Sequence, residues 1–336
     1  MRQKRKKEHV ENYLKSTFRG DTLFRDIYLE HNALPDLNLD DIDTKTQFLG
    51  RTIDYPIIIN AMTGGSDLSQ DINRDLSRLA KEFNIPMAVG SQTIAVEDST
   101  KTSSFEVVRE NIGPEGIVIS NLSGQASLEY VNTALEIVNG DAIQLHLNPA
   151  QELAMVEGDR EFRGILENIE NIVKSIDKPV IVKEVGFGIS KEVAIKLYNI
   201  GVRNIDISGS GGTNFIEIEN LRNIGMDLAD LYEWGIPTAL ALIKCRELPA
   251  DLNIIASGGI RNSMDIIKSI VLGANLVGIS GELLSYLIHG GYDNAKNYLE
   301  ELIYKLKIIM LLLGKQNIVE LQSTKYKIVG DLKELI

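Results

Sequence analysis

Short apolar runs rich in β-branched residues recur along the chain, and between most of them lie longer stretches in which apolar positions return every three or four residues. Runs that stay apolar without alternating are what parallel strands buried on both faces require, whereas the three-to-four spacing is that of amphipathic helices. The pattern predicts eight strands, at Pro56–Asn60, Pro86–Val89, Gly116–Asn121, Ala142–Leu147, Pro179–Glu184, Asn204–Ser208, Asn253–Ser257 and Asn275–Ser280. Helices are expected over Leu68–Phe83, Ala126–Val138, Phe162–Ile176, Lys191–Ile200, Pro237–Arg246 and Ser263–Leu272. Eight β/α units close into one (β/α)8 barrel, the TIM-barrel form of the α/β class. An open doubly wound sheet is the alternative, but its first turn favours Gly-x-Gly-x-x-Gly, and here that turn reads Ala61-Met62-Thr63-Gly64-Gly65.

The expected division is one domain with the barrel over 51–290, an N-terminal extension over 1–50 that contributes to the site, and a C-terminal extension over 291–336. The first extension begins helix-like through about Leu14 and passes into an acidic stretch at Leu34–Thr46, and the last ends in a short helix and strand packed outside the barrel. An insertion between Asn214 and Gly235 precedes the sixth helix, and long loops at this end of a barrel are usually lids or site walls.

Composition narrows the function. Of 336 residues, 44% are hydrophobic and 24% charged, the balance of a globular chain. Lys and Arg number 35 against 47 Asp and Glu, a net of −12, which excludes a general nucleic-acid binder and makes any anion site a local construction. A cytoplasmic location is expected: the basic Met1–Lys7 has no apolar run behind it, and the longest apolar stretch, Ile308–Leu313, is too short to span a bilayer. Cys245, alone of its kind, lies in an apolar helix-like run and reads as a core thiol.

Barrel chemistry gathers at the C-terminal ends of the strands. There the seventh strand closes in Ser257-Gly258-Gly259-Ile260-Arg261 and the eighth in Gly278-Ile279-Ser280-Gly281, a pairing of small residues on adjacent strands suited to a phosphate. The sixth strand ends Asp206-Ile207-Ser208-Gly209-Ser210-Gly211-Gly212-Thr213, able to cradle the same group. Lys183 interrupts the apolar fifth strand, and a buried ammonium needs an anionic or electron-rich partner. Adjacent Glu184 faces the other way, so a cofactor is the expected partner. On the fourth strand alternation puts Gln144, His146 and Asn148 on one face, with Gln151 and Glu152 in the loop above, and one carboxylate beside substrate phosphates can hold magnesium.

Arg5-Lys6-x-x-His9, Ala61–Gly65, Gly90-Ser91-Gln92, His146-x-Asn148-x-x-Gln151-Glu152, Lys183–Gly186, Asp206–Thr213, Trp234–Thr238 and Ser257–Arg261 run in order across nearly the whole chain. Together they resemble the type 2 isopentenyl-diphosphate isomerase family, whose members carry FMN. The resemblance implies FMN contacts at Ala61, Met62, Thr63, Ser91, Asn121, Lys183, Ser208, Thr213, Gly258, Gly259, Arg261, Ser280 and Gly281. It implies substrate contacts at Arg5, Lys6, His9, Ser91, Gln92, Thr93 and Gln151, magnesium (Mg2+) on Glu152, and Gln151, His146 and Asn148 around the reacting molecule. It also implies a start-up reductant, NADPH or NADH, and a homo-oligomer, tetramer or octamer. Two departures stand out: Thr93 where many relatives carry a basic residue, and Phe215 where many carry Trp. The alternative is an FMN-dependent oxidoreductase of the 2-hydroxy acid or IMP dehydrogenase-like kind, and from another class a non-catalytic flavin- or phosphate-sensing barrel.

Overall fold

In the computed structural model, residues 2–222 and 225–336 are described, without the side chains of 2–4 and 7. Of the basic N-terminal run, only Arg5 and Lys6 are therefore described as side chains. Helix α1 (Arg2–Lys15) leads into a strand β1 (Ile27–Leu29) and an antiparallel hairpin, β2 (Thr46–Phe48) with β3 (Arg51–Ile53), before the barrel begins. The barrel strands follow as β4 (Ile57–Ile59), β5 (Met87–Ala88), β6 (Val118–Ser123), β7 (Ala142–Leu147), β8 (Val180–Glu184), β9 (Asn204–Asp206), β10 (Asn253–Ala256) and β11 (Leu276–Ile279). They pair in parallel, each with the next, and β11 returns to β4 to close the ring.

All eight expected strands and six expected helices are present. The helices are α2 (Asp67–Glu82), α5 (Leu128–Val138), α7 (Ile165–Ser175), α8 (Lys191–Asn199), α10 (Thr238–Cys245) and α11 (Ser263–Val271). Their starts are chemically marked: Ser66, Ser127, Ser190 and Asn262 each accept a hydrogen bond from a backbone N–H of the first turn, worth about 1 kcal/mol apiece. Between β5 and β6 the sequence reading named no helix, yet α3 (Thr93–Glu97) and α4 (Ser103–Ile112) occupy the connection. α3 is too short to show a period, but α4 buries Phe105, Val108 and Ile112 at helical spacing, a pattern the sequence carries. The insertion carries α6's partner: α6 (Pro149–Ala154) above β7 faces α9 (Phe215–Asn220). After β11, α12 (Gly281–Leu312) breaks at Gly291 (φ 73°, ψ −171°), and α13 (Ile318–Gln322), β12 (Tyr326–Ile328) and α14 (Gly330–Glu334) finish the chain. Strand β12 pairs antiparallel with β1, so the two terminal extensions seal each other outside the barrel.

Inside the ring, Ile58, Ile119, Ala142, Ile181, Ile255 and Leu276 form a dry layer. The strand pleat repeats every two residues, so the next inward positions are Asn60, Asn121, Gln144, Lys183, Ser257 and Gly278. The interior therefore changes from hydrocarbon to polar within one pleat, and that polar layer is the floor of the site.

Candidate active site

The floor is a continuous hydrogen-bonded network. Asp206, fully buried, accepts from Asn60 Nδ2 at 2.6 Å, from Ser257 Oγ at 2.6 Å and from the Ser208 N–H at 3.2 Å. Gln144 Nε2 donates to Asn60 Oδ1 (3.1 Å), Asn121 Nδ2 to Gln144 Oε1 (2.9 Å), and His146 Nδ1 lies 2.9 Å from Asn121 Oδ1. Since the Asn121 amide nitrogen is engaged with Gln144, its oxygen accepts, which puts the histidine proton on Nδ1. Gly278 fits because a side chain there would press on Asn60 and Ser257.

Lys183 Nζ stands 3.3 Å from Asp206 Oδ2 and 3.4 Å from Ser257 Oγ. In addition to the cofactor expected beside it, the ammonium thus has a carboxylate partner from the next strand. Period-two counting from Asn204 through Asp206 to Ser208 would have found it. Glu184 does face away, accepting from the Phe187 and Gly188 N–H groups at 2.5 and 3.0 Å, and burial pushes its carboxyl up to about 7. His146, half-buried, is pushed down to about 4, first by burial and then by the charges of Lys183 and Lys6, so the ring is neutral at pH 7.

Above the fourth barrel strand, Asn148 Nδ2 donates to Gln151 Oε1 (3.1 Å) and to Glu152 Oε1 (2.9 Å), while the Asp159 N–H donates to Glu152 Oε2 (2.9 Å). Gln151 Nε2 reaches Glu219 Oε1 on α9 at 3.2 Å. His9 Nε2 lies 2.7 Å from that same oxygen, and Arg222 meets Glu219, Glu8 and Glu157. Helix α1 thus lies over the barrel mouth: Lys6 Nζ donates to the Ser91 carbonyl (2.7 Å), and the Arg5 guanidinium approaches Met155 Sδ at 3.6 Å. Glu219, only 1% exposed, was not singled out from the sequence. It lies in a short helix with no periodic signal, and apart from Arg222 its partners, His9 and Gln151, are distant in the chain.

Not every expected side chain faces the mouth. Gln92 is inside the wall, its Nε2 donating to Ala134 O and its Oε1 accepting from the Asn121 N–H, both structural tasks. Thr63 is buried against Ser69 (2.8 Å), whereas Ala61 and Met62 are half-buried at the end of β4. Ser91 and Thr93 share a hydroxyl contact of 3.2 Å beside Lys6.

The glycine loops lock together on the opposite side. Gly211, Gly258 and Gly259 all have positive φ, and a Cβ at Gly258 would collide with the Gly209 carbonyl. Arg261 donates to the Gly211 carbonyl at 2.6 Å, tying the sixth loop to the seventh. Ser208 keeps a left-handed φ of 36°, rare for a residue with a side chain, and is held there because its carbonyl accepts from Gly186 and Gly188. A cavity of about 280 Å3 opens beside this knot, with Gly211, Gly212, Thr213 and Tyr232 in its wall. Ser280 and Gly281 begin α12, with Gly281 close under the Tyr13 ring from α1. This close-packed cradle of backbone fits a phosphate-bearing cofactor. For a metal the donor set is thinner: among the described residues no three His, Cys, Asp or Glu side chains converge, and Glu152 offers one carboxylate.

A closed parallel barrel with a lysine floor and paired glycine loops is the architecture of a flavin barrel. A family model described as FMN-dependent dehydrogenase matches residues 14–111 and 144–327. Solved structures agree on the fold: the putative lactate oxidase of Pediococcus acidilactici superposes with a TM-score of 0.71 at 17% identity, covering 98% of this chain and 94% of that one. A mandelate oxidase bearing (S)-mandelic acid gives 0.67 at 16%, covering 96% and 94%. Sequence similarity points further. The isopentenyl-diphosphate delta-isomerase of Bacillus pumilus is 45% identical over 98% of this chain and 93% of its own length, and that of a Geobacillus strain is 42% identical over 98% and 94%. The chain belongs to the FMN-dependent family of isopentenyl-diphosphate delta-isomerases.

Proposed function

We propose that the chain converts isopentenyl diphosphate to dimethylallyl diphosphate, with magnesium present and its flavin kept reduced by NAD(P)H that is not consumed per turnover. The observation that carries this reading is electrostatic: in a chain of net charge −12, Lys6 from α1 and Lys183, itself paired to Asp206, flank a neutral His146 at one barrel mouth. Such a site suits a small, highly charged anion. Reduced FMN, when bound, supplies an electron-rich ring and an exchangeable proton. Lys183 and Asn121 would lie under the flavin ring, and the Gly258–Arg261 and Ser280–Gly281 loops would take its phosphate. His146 and Asn148, with Arg5, Lys6 and His9 above, would hold the diphosphate end of the substrate, and Glu152 would share the metal with its phosphates. Gln151 would sit beside the reacting carbons, its amide oriented by Asn148 and Glu219.

No helix among the described residues is long and apolar enough to cross a membrane. We propose a cytoplasmic enzyme and a homo-oligomer, tetramer or octamer. The IMP dehydrogenase-like alternative needs a reactive thiol. Cys245 is 1% exposed on α10, and burial pushes its thiol up to about 11, which leaves it inert at neutral pH.

Proton NMR of the protein with isopentenyl diphosphate, Mg2+, FMN and NADPH tests the reading. Dimethylallyl diphosphate is expected only when the reductant is present, without stoichiometric NADPH loss. An intact yellow protein that makes no product in either tube would overturn it.

A further inference from the structure

Helix α1 is held by a small number of contacts to α9, and one of them is out of the ordinary. Glu217, 4% exposed, directs a single oxygen, Oε1, at two backbone donors just past the end of α1: the Thr17 N–H at 2.8 Å and the Phe18 N–H at 3.0 Å. Its other oxygen, Oε2, is buried with no hydrogen-bond partner among the described residues. A buried carboxylate with one oxygen unpaired is a costly way to close a turn, since its desolvation is only partly returned. A neutral acceptor would serve the fold as well.

The surrounding contacts explain what the carboxylate secures. Asn12 Nδ2 donates to the Ile218 carbonyl at 3.2 Å, the Phe18 ring packs on Tyr232 with centroids 5.6 Å apart, and the His9 ring meets Phe215 edge-on at 6.0 Å. Glu217 therefore sits at the base of a helix whose far end carries Arg5, Lys6 and His9 over the mouth, where Lys6 holds the Ser91 carbonyl and His9 stands beside Glu219. A helix rises 1.5 Å per residue, so Lys6 lies roughly 16 Å from Thr17, and a small tilt at the base displaces the cations by several ångströms.

We propose that Glu217 is a positioning residue for the diphosphate end of the substrate, acting through α1 by fixing its base against α9. This rests on the reading of Arg5, Lys6 and His9 as diphosphate ligands. The hydrogen bonds of the Glu217 carboxylate go to the turn after α1 and none goes to the floor or to the Gly258–Arg261 loop, so its removal should change substrate binding and leave the flavin in place.

The test compares Glu217→Ala, which removes both acceptors, with Glu217→Gln, which keeps an acceptor for the two N–H groups. Two readouts are taken on each holoenzyme: amide hydrogen exchange over residues 5–18, and the separate values of KM and kcat for isopentenyl diphosphate. Flavin absorbance and melting temperature check that the variants are folded. The expected result for Glu217→Ala is faster exchange across α1 with KM raised about tenfold and kcat within about twofold, the rise given back in Glu217→Gln to within about twofold. Unchanged exchange in a folded Glu217→Ala would overturn the latch itself. Faster exchange with unchanged KM would also overturn the proposal, and would place the failure in the reading of the α1 cations as diphosphate ligands. In an Arg5→Ala/Lys6→Ala background the Glu217→Ala effect on KM should shrink to near nothing, and a full effect there would show that Glu217 acts by another route.

Discussion

The floor and the roof of the site are built on opposite principles. The floor, from His146 through Asn121, Gln144 and Asn60 to Asp206, is made of strand residues whose positions the barrel fixes and whose polar atoms are paired with one another. The roof, α1 on α9, is made of short helices outside the barrel, held by side chains that reach 200 residues or more along the sequence, such as the Thr17–Glu217 bond. A floor of this kind can hold a cofactor in one pose. A roof of that kind can exchange one substrate for the next without disturbing what lies below.

The largest expected difference follows from cutting each layer once. Asp206→Ala leaves the Lys183 ammonium buried without its carboxylate, and breaking a buried pair from one side costs about 3–5 kcal/mol. Phe18→Ala in the roof removes one half-buried ring from Tyr232 and should cost about 1 kcal/mol. Chemical denaturation of the two apoproteins measures both. Near-equal losses would mean that the roof is as integral to the fold as the floor, and the division drawn above would fail.

How much of each layer could be read in advance follows the same division. The strands were legible because a parallel sheet buried on both faces leaves uninterrupted apolar runs, and Lys183 and His146 stood out as polar breaks in those runs. Asp206 is equally legible by the period of two, although the glycines from Gly209 onward mark the loop more strongly. The Gly90-Ser91-Gln92 motif puts Gln92 with the substrate, whereas its amide spans Ala134 and Asn121 inside the wall, a use that no local pattern announces. Glu217 and Glu219 were illegible for a physical reason. A six-residue helix has too few turns for a period, and its partners on α1 become neighbours only once the barrel has closed.

Two groups beside the floor should respond to pH with opposite sign. Glu184 is raised from 4.5 to about 7, so the protonated form suits the folded state: its stabilising contribution is complete below pH 4.5 and is lost as pH rises towards 7. Glu184→Gln should therefore become more stable relative to the parent across that interval, by on the order of 2–3 kcal/mol at its upper end. His146 is lowered from 6.5 to about 4, so the neutral ring suits the folded state, and its contribution is present above pH 6.5 and lost as pH falls towards 4. For His146→Gln the relative gain should appear on acidification, on the order of 1–2 kcal/mol because the ring is only half-buried. Denaturation curves at pH 4.5, 5.5, 6.5 and 7.5 separate the two, and gains of the same sign in both variants would contradict the assignment of either group.

The smallest effect should come from the rim where floor meets roof. Thr93 begins α3, half-buried, its hydroxyl 3.2 Å from that of Ser91, whose carbonyl takes the Lys6 ammonium. A guanidinium there would add a third cation to the Lys6 and Lys183 side of the mouth, and a fork suited to two phosphate oxygens. Its long side chain loses freedom on ordering and its charge repels its neighbours, so only part of the attraction should survive. Thr93→Arg is expected to lower KM for isopentenyl diphosphate about threefold, with the gain fading as salt is raised, because a rim charge is screened more strongly than a buried one. A KM that rises instead would mean that the mouth already holds as much positive charge as the roof can seat, and that Thr93 keeps room for Lys6.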